Sequence, residues 1–205
     1  MVMTKVKICG LTRLEDIKAV NEVLPDYVGF VFANSRRKVS LETAIELKKN
    51  LNSSIKAVGV FVNEEPENII RFCKEQVIDV IQLHGDEKEE YILKLKQYLG
   101  NDIIKAVRVK EAADINKEAR LPCDYILLDT YREGQYGGSG TVFNWNLISN
   151  VSKPFFLAGG IYSGNVLQAV KQCNPYCIDV SSGVETDHFK DLGKIRDLIQ
   201  KIRGT

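Results

Sequence analysis

Tyr125-Ile126-Leu127-Leu128-Asp129-Thr130 is a short apolar run closed by a carboxylate, and the glycine-rich Tyr136-Gly137-Gly138-Ser139-Gly140 follows it. A run of this length, continuous in its hydrophobicity and bounded by polar residues, reads as a strand buried on both faces, the kind found in parallel sheets. Its carboxylate then stands at the edge of a core, where poor solvation disfavours the charged form and raises the pKa. An acid in that setting can donate a proton near neutrality. Asp129 could equally cap a following helix or pair with an arginine, and the stretch by itself leaves both open.

The same strand-then-polar-turn pattern recurs on either side. Further strands are expected at residues 6–11, 27–32, 56–62, 80–85, 103–109, 155–158 and 177–180, making eight in all. Helical spacing separates most of them. Leu14, Ile17, Val20 and Val23 follow the capping-box pattern Thr12-Arg13-Leu14-Glu15. Ser40 opens a second helix and Pro66 a third, while Asp86 is placed to cap a fourth that carries Tyr91, Ile92, Leu95 and Leu99. The connection from Lys110 to Asp124 is short and weakly periodic, so the fifth helix is expected to be short or missing. A sixth should start near Phe143 to Ile148, with Trp145 as packing; Ser163 should cap a seventh, and the last should run from about His188 to Ile202.

Strand ends recurring every 20 to 30 residues or so match one minimal strand-helix unit and point to an α/β fold, a single (β/α)8 barrel over residues 1–205. A doubly wound open sheet would gather its polar residues at one switch point. Here they follow every clear strand end: Cys9, Ser35 to Lys38, Asn63, His84, Arg108, Asp129, Gly159-Gly160 and Ser181-Ser182. A ring of loops at one barrel face accounts for that distribution.

Composition narrows the function. With 44% hydrophobic residues and no apolar run near the roughly 18 needed to span a bilayer, a membrane protein is excluded. The chain enters strand-like sequence at once, leaving no room for a signal peptide, so a cytoplasmic location is expected. A net charge of +1 with scattered cations gives no footprint for nucleic acid. Five cysteines without a secretory signal read as free thiols, and Cys173 and Cys177 lack a second ligand pair for a metal.

Chemistry follows from the ring. Gly159 and Gly160 let backbone N–H groups approach an anion closely, and Ser181, Ser182 and Gly183 add hydroxyls and amides at the next strand end. Loops in these two positions commonly hold phosphate in barrels, so a phosphorylated small molecule is the expected ligand. Cys9 could be an ordinary buried thiol. Its same-face neighbour Lys7 offers a route to a thiolate, since a nearby cation lowers a thiol pKa. His84 shares a face with Gln82 and reads as a hydrogen-bonding wall residue rather than a proton carrier. A thiolate base and a carboxylic acid across one barrel mouth suit isomerase chemistry, with no metal and no cofactor required.

Taken together, Lys7-Ile8-Cys9-Gly10-Leu11-Thr12, Gly29-Phe30-Val31-Phe32, Ser35-Arg36-Arg37, Gln82-Leu83-His84-Gly85, Leu127-Leu128-Asp129-Thr130, Leu157-Ala158-Gly159-Gly160 and Asp179-Val180-Ser181-Ser182-Gly183-Val184-Glu185 resemble one family, phosphoribosylanthranilate isomerase of tryptophan biosynthesis. The resemblance implies an Amadori rearrangement of an aminoaldose to an aminoketose. It makes Asp129 the general acid and Cys9 the general base, sets Arg37 and His84 at the anthranilate end, and assigns phosphate to Gly159, Gly160, Ser181, Ser182 and Gly183. Arg36 falls at a variable position and receives no role. Asn144, where the family often has Asp before Trp145, is a departure away from the chemistry. The partner expected is the small phosphorylated substrate, with the protein a monomer or homodimer. Another sugar-phosphate isomerase or epimerase barrel, or a non-catalytic phosphate-binding barrel, remains the alternative.

Overall fold

Side chains alternate along a strand, so each strand of a closed sheet sends one set inward and the other toward the helices. The structure, a computed structural model, describes residues 3–131, 142–149 and 151–204. Its eight barrel strands are β1 (Lys5–Cys9), β2 (Tyr27–Val31), β3 (Lys56–Phe61), β4 (Val80–Leu83), β5 (Asp102–Val109), β6 (Tyr125–Thr130), β7 (Phe155–Leu157) and β8 (Cys177–Val180). Each pairs in parallel with its sequence neighbour, and β8 pairs with β1 to close the barrel. The (β/α)8 reading therefore holds, and the open-sheet alternative does not.

The helices are α1 (Leu14–Val23), α2 (Leu41–Asn50), α3 (Pro66–Lys74), α4 (Glu89–Tyr98), α5 (Ala112–Glu118), α6 (Val166–Cys173) and α7 (Leu192–Arg203). Val6, Ile8, Ile126 and Leu128 face this layer and form the main core with residues such as Ile17, Ile92 and Ile195. Leu127 points the other way, into a second core inside the barrel with Val58, Val80, Ile104 and Phe156. The alternation that sets Lys7 and Cys9 opposite Val6 and Ile8 is thus present, and Asp129 shares the inward parity of Leu127.

Several helix boundaries differ from the sequence reading. Helix α1 begins one residue later than the Thr12 box implies, because Asp16 rather than Glu15 turns back to accept the Thr12 and Arg13 N–H groups, at 2.9 and 3.1 Å. Lys88, not Asp86, precedes α4; Asp86 instead pairs with Arg108. Ser163 does not cap α6, whose N-cap is Asn165, because its hydroxyl donates to Asp197 on α7. The fifth helix is short, at seven residues. At Trp145–Leu147 there is only a 3-10 turn where the sixth helix was expected. The Asn144 side chain accepts from the Asn146 N–H there, and Pro154 and β7 follow too soon for further turns.

Between β8 and α7 the chain makes a small antiparallel hairpin, β9 (Glu185–Thr186) and β10 (Phe189–Lys190), where the sequence reading had already begun the last helix at His188. Asp191 caps α7 by accepting from the Lys194 N–H. All five cysteines are free thiols. No helix among the described residues is long and apolar enough to cross a membrane. The glycine-rich stretch 136–140 lies outside the described residues.

Candidate active site

A cavity of about 450 Å3 opens at the C-terminal ends of the strands, lined by Cys9, Arg37, His84, Asp129, Gly159, Gly160, Ser181 and Ser182 among others. This is the face where barrels carry their chemistry. Seven of the strands reach it, through their last residues or the loops that follow. Of the residues singled out from sequence, only Gly183 is absent from the lining. A Cβ at Gly183 would collide with the Ile161 carbonyl, so its role is to let the loops after β7 and β8 touch.

Cys9 closes β1, opposite Gly29 in register. A Cβ on Gly29 would lie 2.6 Å from the Cys9 sulfur, so the bare backbone makes room for the thiol. Lys7, two residues back on the inward face, is fully buried and bonds both oxygens of Asp179 at 3.0 Å. Burial alone would push its ammonium down, but Asp179 and Cys9 outweigh that, and Lys7 titrates above an ordinary lysine. For Cys9 the sequence expectation of a lowered pKa is corrected. Burial raises the thiol more than Lys7 lowers it, and Asp179 adds to the rise, leaving Cys9 above the ordinary thiol value. The cation is present as expected, but its carboxylate partner cancels much of its field.

Asp129 stands in register with Arg108 on the neighbouring strand and is 4% exposed. One carboxyl oxygen accepts the Thr130 N–H at 2.8 Å, and the other lies 3.4 Å from Nε2 of His84. Nδ1 of His84 is 2.8 Å from the Gln82 side-chain nitrogen. As placed, the Gln82 amide donates to Nδ1, which puts the imidazole proton on Nε2, toward Asp129. The strand-face pairing of His84 with Gln82 read from the sequence is present.

In the loop after β7, Gly159 and Gly160 have φ of +81° and +63°, the left-handed region that glycine enters freely. A Cβ at Gly159 would come within 3.0 Å of an Asp129 oxygen, so the loop can pass tight against the acid only as glycine. The Ser181 hydroxyl donates to the Cys9 carbonyl at 3.0 Å and ties β8 to β1. Arg37 is clamped by Glu185, with Nε 2.7 Å and Nη2 2.9 Å from the two carboxylate oxygens. Burial would raise the Glu185 carboxyl, but Arg37 and the Lys190 ammonium hold it down to about 2. Among the described residues, no three His, Cys, Asp or Glu side chains are grouped to hold a metal ion.

The family model of N-(5'phosphoribosyl)anthranilate (PRA) isomerase matches residues 6–201. The N-(5'-phosphoribosyl)anthranilate isomerase of Acetivibrio thermocellus is 51% identical over 210 residues, covering 98% of this chain and 96% of that one. This chain belongs to the PRA isomerase family. A solved PRA isomerase from Thermotoga maritima superposes with a TM-score of 0.90 at 37% identity, over 99% of this chain and 100% of that one. Another PRA isomerase structure, in complex with reduced 1-(o-carboxyphenylamino)-1-deoxyribulose 5-phosphate, gives 0.87 at 36% identity over the same shares.

Sequence reasoning placed the PRA isomerase motif residues at one cavity but left four of their neighbours without a role. Asp179 lines the cavity and holds Lys7, and Gln82 lines it and holds His84. Glu185 and Lys190 brace Arg37. One signal was available for Glu185, an acid two residues past the Ser-Ser-Gly loop in a chain whose densest cation run, Arg36-Arg37-Lys38, had no partner assigned within the protein.

Proposed function

We propose that the chain isomerises N-(5'-phosphoribosyl)anthranilate to 1-(2-carboxyphenylamino)-1-deoxyribulose 5-phosphate. The observation that carries this reading is a single cavity with a thiol and a carboxyl facing it from β1 and β6, an arginine at one end and a glycine-serine anion cradle at the other. A ligand with a carboxylate at one end and a phosphate at the other spans those features. The cradle of Gly159, Gly160 and Ser182, aided by Gly183 and the Ser181 backbone, holds the phosphate; Arg37 and His84 meet the anthranilate end.

Asp129 as general acid gives a proton to the furanose ring oxygen. The C1′–O bond breaks as the nitrogen lone pair forms the Schiff base. Cys9 as thiolate then removes the C2′ proton, and those electrons form the C1′–C2′ double bond of a neutral enolamine. Loss of the C2′ hydroxyl proton and protonation at C1′ give the ketone, so atoms and charge balance without any external oxidant or reductant. Lys7, within hydrogen-bonding reach of the Cys9 sulfur, stabilises the thiolate that the first proton removal requires. The protein acts in the cytoplasm as a monomer or homodimer.

The test is loss of substrate fluorescence with freshly generated phosphoribosylanthranilate, coupled to the next pathway enzyme so that product is drained. Turnover that depends on this protein and disappears in Cys9→Ala supports the reading. A folded wild-type protein that binds the reduced product analogue but never turns over substrate would overturn it in favour of a non-catalytic phosphate-binding barrel.

A further inference from the structure

Around Arg37 three side chains converge on one carboxylate through four hydrogen bonds. Glu185 accepts from Arg37 Nε and Lys190 on one oxygen, at 2.7 Å each, and from Arg37 Nη2 and Arg36 on the other, at 2.9 and 3.0 Å. The Glu185 and Lys190 side chains are 5% and 1% exposed. A buried carboxylate is costly unless its lone pairs are filled, and here they are. Three cations against one anion leave the cluster net positive, so the clamp orients Arg37 without cancelling the attraction of this end for an anion.

The clamp is itself held from three sides. Gly10 has φ of +84°, and a Cβ there would strike Cδ of Arg37, so the arginine stem lies flat on the turn after β1. Phe189 of the hairpin lies 3.7 Å under the Arg13 guanidinium at the start of α1. Lys190 also donates to the Ser181 carbonyl, at 3.1 Å, in the loop next to the phosphate cradle. Glu185 occupies the Nε edge of the guanidinium. Among the described residues nothing bonds Nη1, which leaves the outer edge for a ligand in the cavity that Arg37 lines.

We infer that Glu185, braced by Lys190 on the β9–β10 hairpin, is a positioning residue that presets Arg37 for the aryl carboxylate of the substrate and so sets selectivity for carboxylated over plain arylamine ligands. The inference rests on the proposed isomerase reading and assigns a job to a hairpin that reading leaves idle. Two effects oppose each other when the charge is removed. Loss of Glu185 makes the cluster more positive, which would tighten anion binding, but it also frees Arg37 to leave its pose. The four charge-assisted bonds make orientation the larger effect.

The experiment is calorimetric titration of wild type, Glu185→Gln and Glu185→Asp with two ligands: the reduced product analogue, and the same compound without its ring carboxylate. Wild type should prefer the carboxylated ligand. Both variants should bind it about tenfold more weakly while binding the plain phenylamino ligand within about twofold of wild type. Equal weakening of both ligands would show a merely structural hairpin, and unchanged or tighter binding of the carboxylated one would show that charge outweighs positioning; either overturns the inference. The aspartate variant keeps the charge but is a methylene short, so it carries the test if the glutamine variant fails to fold. Wild type that does not bind the carboxylated ligand at all would overturn the isomerase reading, whereas failure of the inference alone shows only in the variants.

Discussion

The two ends of the barrel are built from different materials. At the C-terminal end, charged side chains are buried in pairs, Lys7 with Asp179 and Glu185 with Arg37 and Lys190, around a cavity. At the N-terminal end, Tyr27, Tyr125, Tyr176 and Phe156 close the barrel, with Tyr125 and Tyr176 stacked at 5.0 Å and Phe156 edge-on to Tyr27 at 5.5 Å. Lys5 caps this plug, its ammonium 5.3 Å from the Tyr176 ring centre. Aromatic burial stabilises directly, whereas buried ion pairs roughly break even against apolar packing. The lower end therefore supplies stability and the upper end spends it on oriented charge.

Breaking each end should fail in its own way. The largest effect is expected on turnover: Cys9→Ala and Asp129→Asn should each lower kcat/KM by roughly 10² to 10⁴ while melting within a few degrees of wild type. A variant that kept wild-type kcat/KM while folded would remove that residue from the mechanism. Next, Phe156→Ala at the lower end should cost about 3–5 kcal/mol of unfolding free energy, read by urea titration, with the folded fraction still turning over at close to the wild-type rate. A large rate loss in the folded fraction would show that the two ends are not separable.

Smaller effects sharpen the contrast. Tyr27→Phe deletes a hydroxyl pair with Tyr176 at 3.1 Å and should cost about 1 kcal/mol without touching activity. Glu185 links the upper end to pH. Its folded pKa of about 2 lies below the ordinary 4.5, so its stabilising contribution is complete above about 4.5 and is lost as pH falls toward 2. The stability gap between wild type and Glu185→Gln should accordingly narrow over that window. A gap that stayed constant down to pH 2 would mean the Glu185 carboxyl is not held low by its cations.

The barrel was legible because strands such as residues 125–130 are apolar on both faces and end on polar residues, a local signal repeated eight times. The inward parity of Lys7, Cys9, Gln82 and His84 was legible for the same reason. What escaped depends on distance or depth. The Arg37–Glu185 clamp joins residues 148 apart in sequence. The β9–β10 hairpin has strands of two residues, too short to show a period, and Phe189 fits a helical spacing equally well. The sixth helix was over-read from Trp145 and Leu147, which pack the same way in a single 3-10 turn. The sign of the Cys9 shift turned on the depth of burial of the thiol, to which Asp179 adds, and sequence could place neither around Cys9.

The account stands most directly on Cys9 as a base whose thiol is held above its ordinary pKa in the free protein. Alkylation by iodoacetamide reads the thiolate alone, free of the acid partner whose protonation also shapes a pH–rate profile. The rate at which it abolishes turnover should climb about tenfold per pH unit from pH 7 upward, with no plateau below pH 9. An inactivation rate flat from pH 7 to 9, or turnover that survives complete alkylation of Cys9, would contradict a thiol base held above its ordinary value and hand proton removal to another residue.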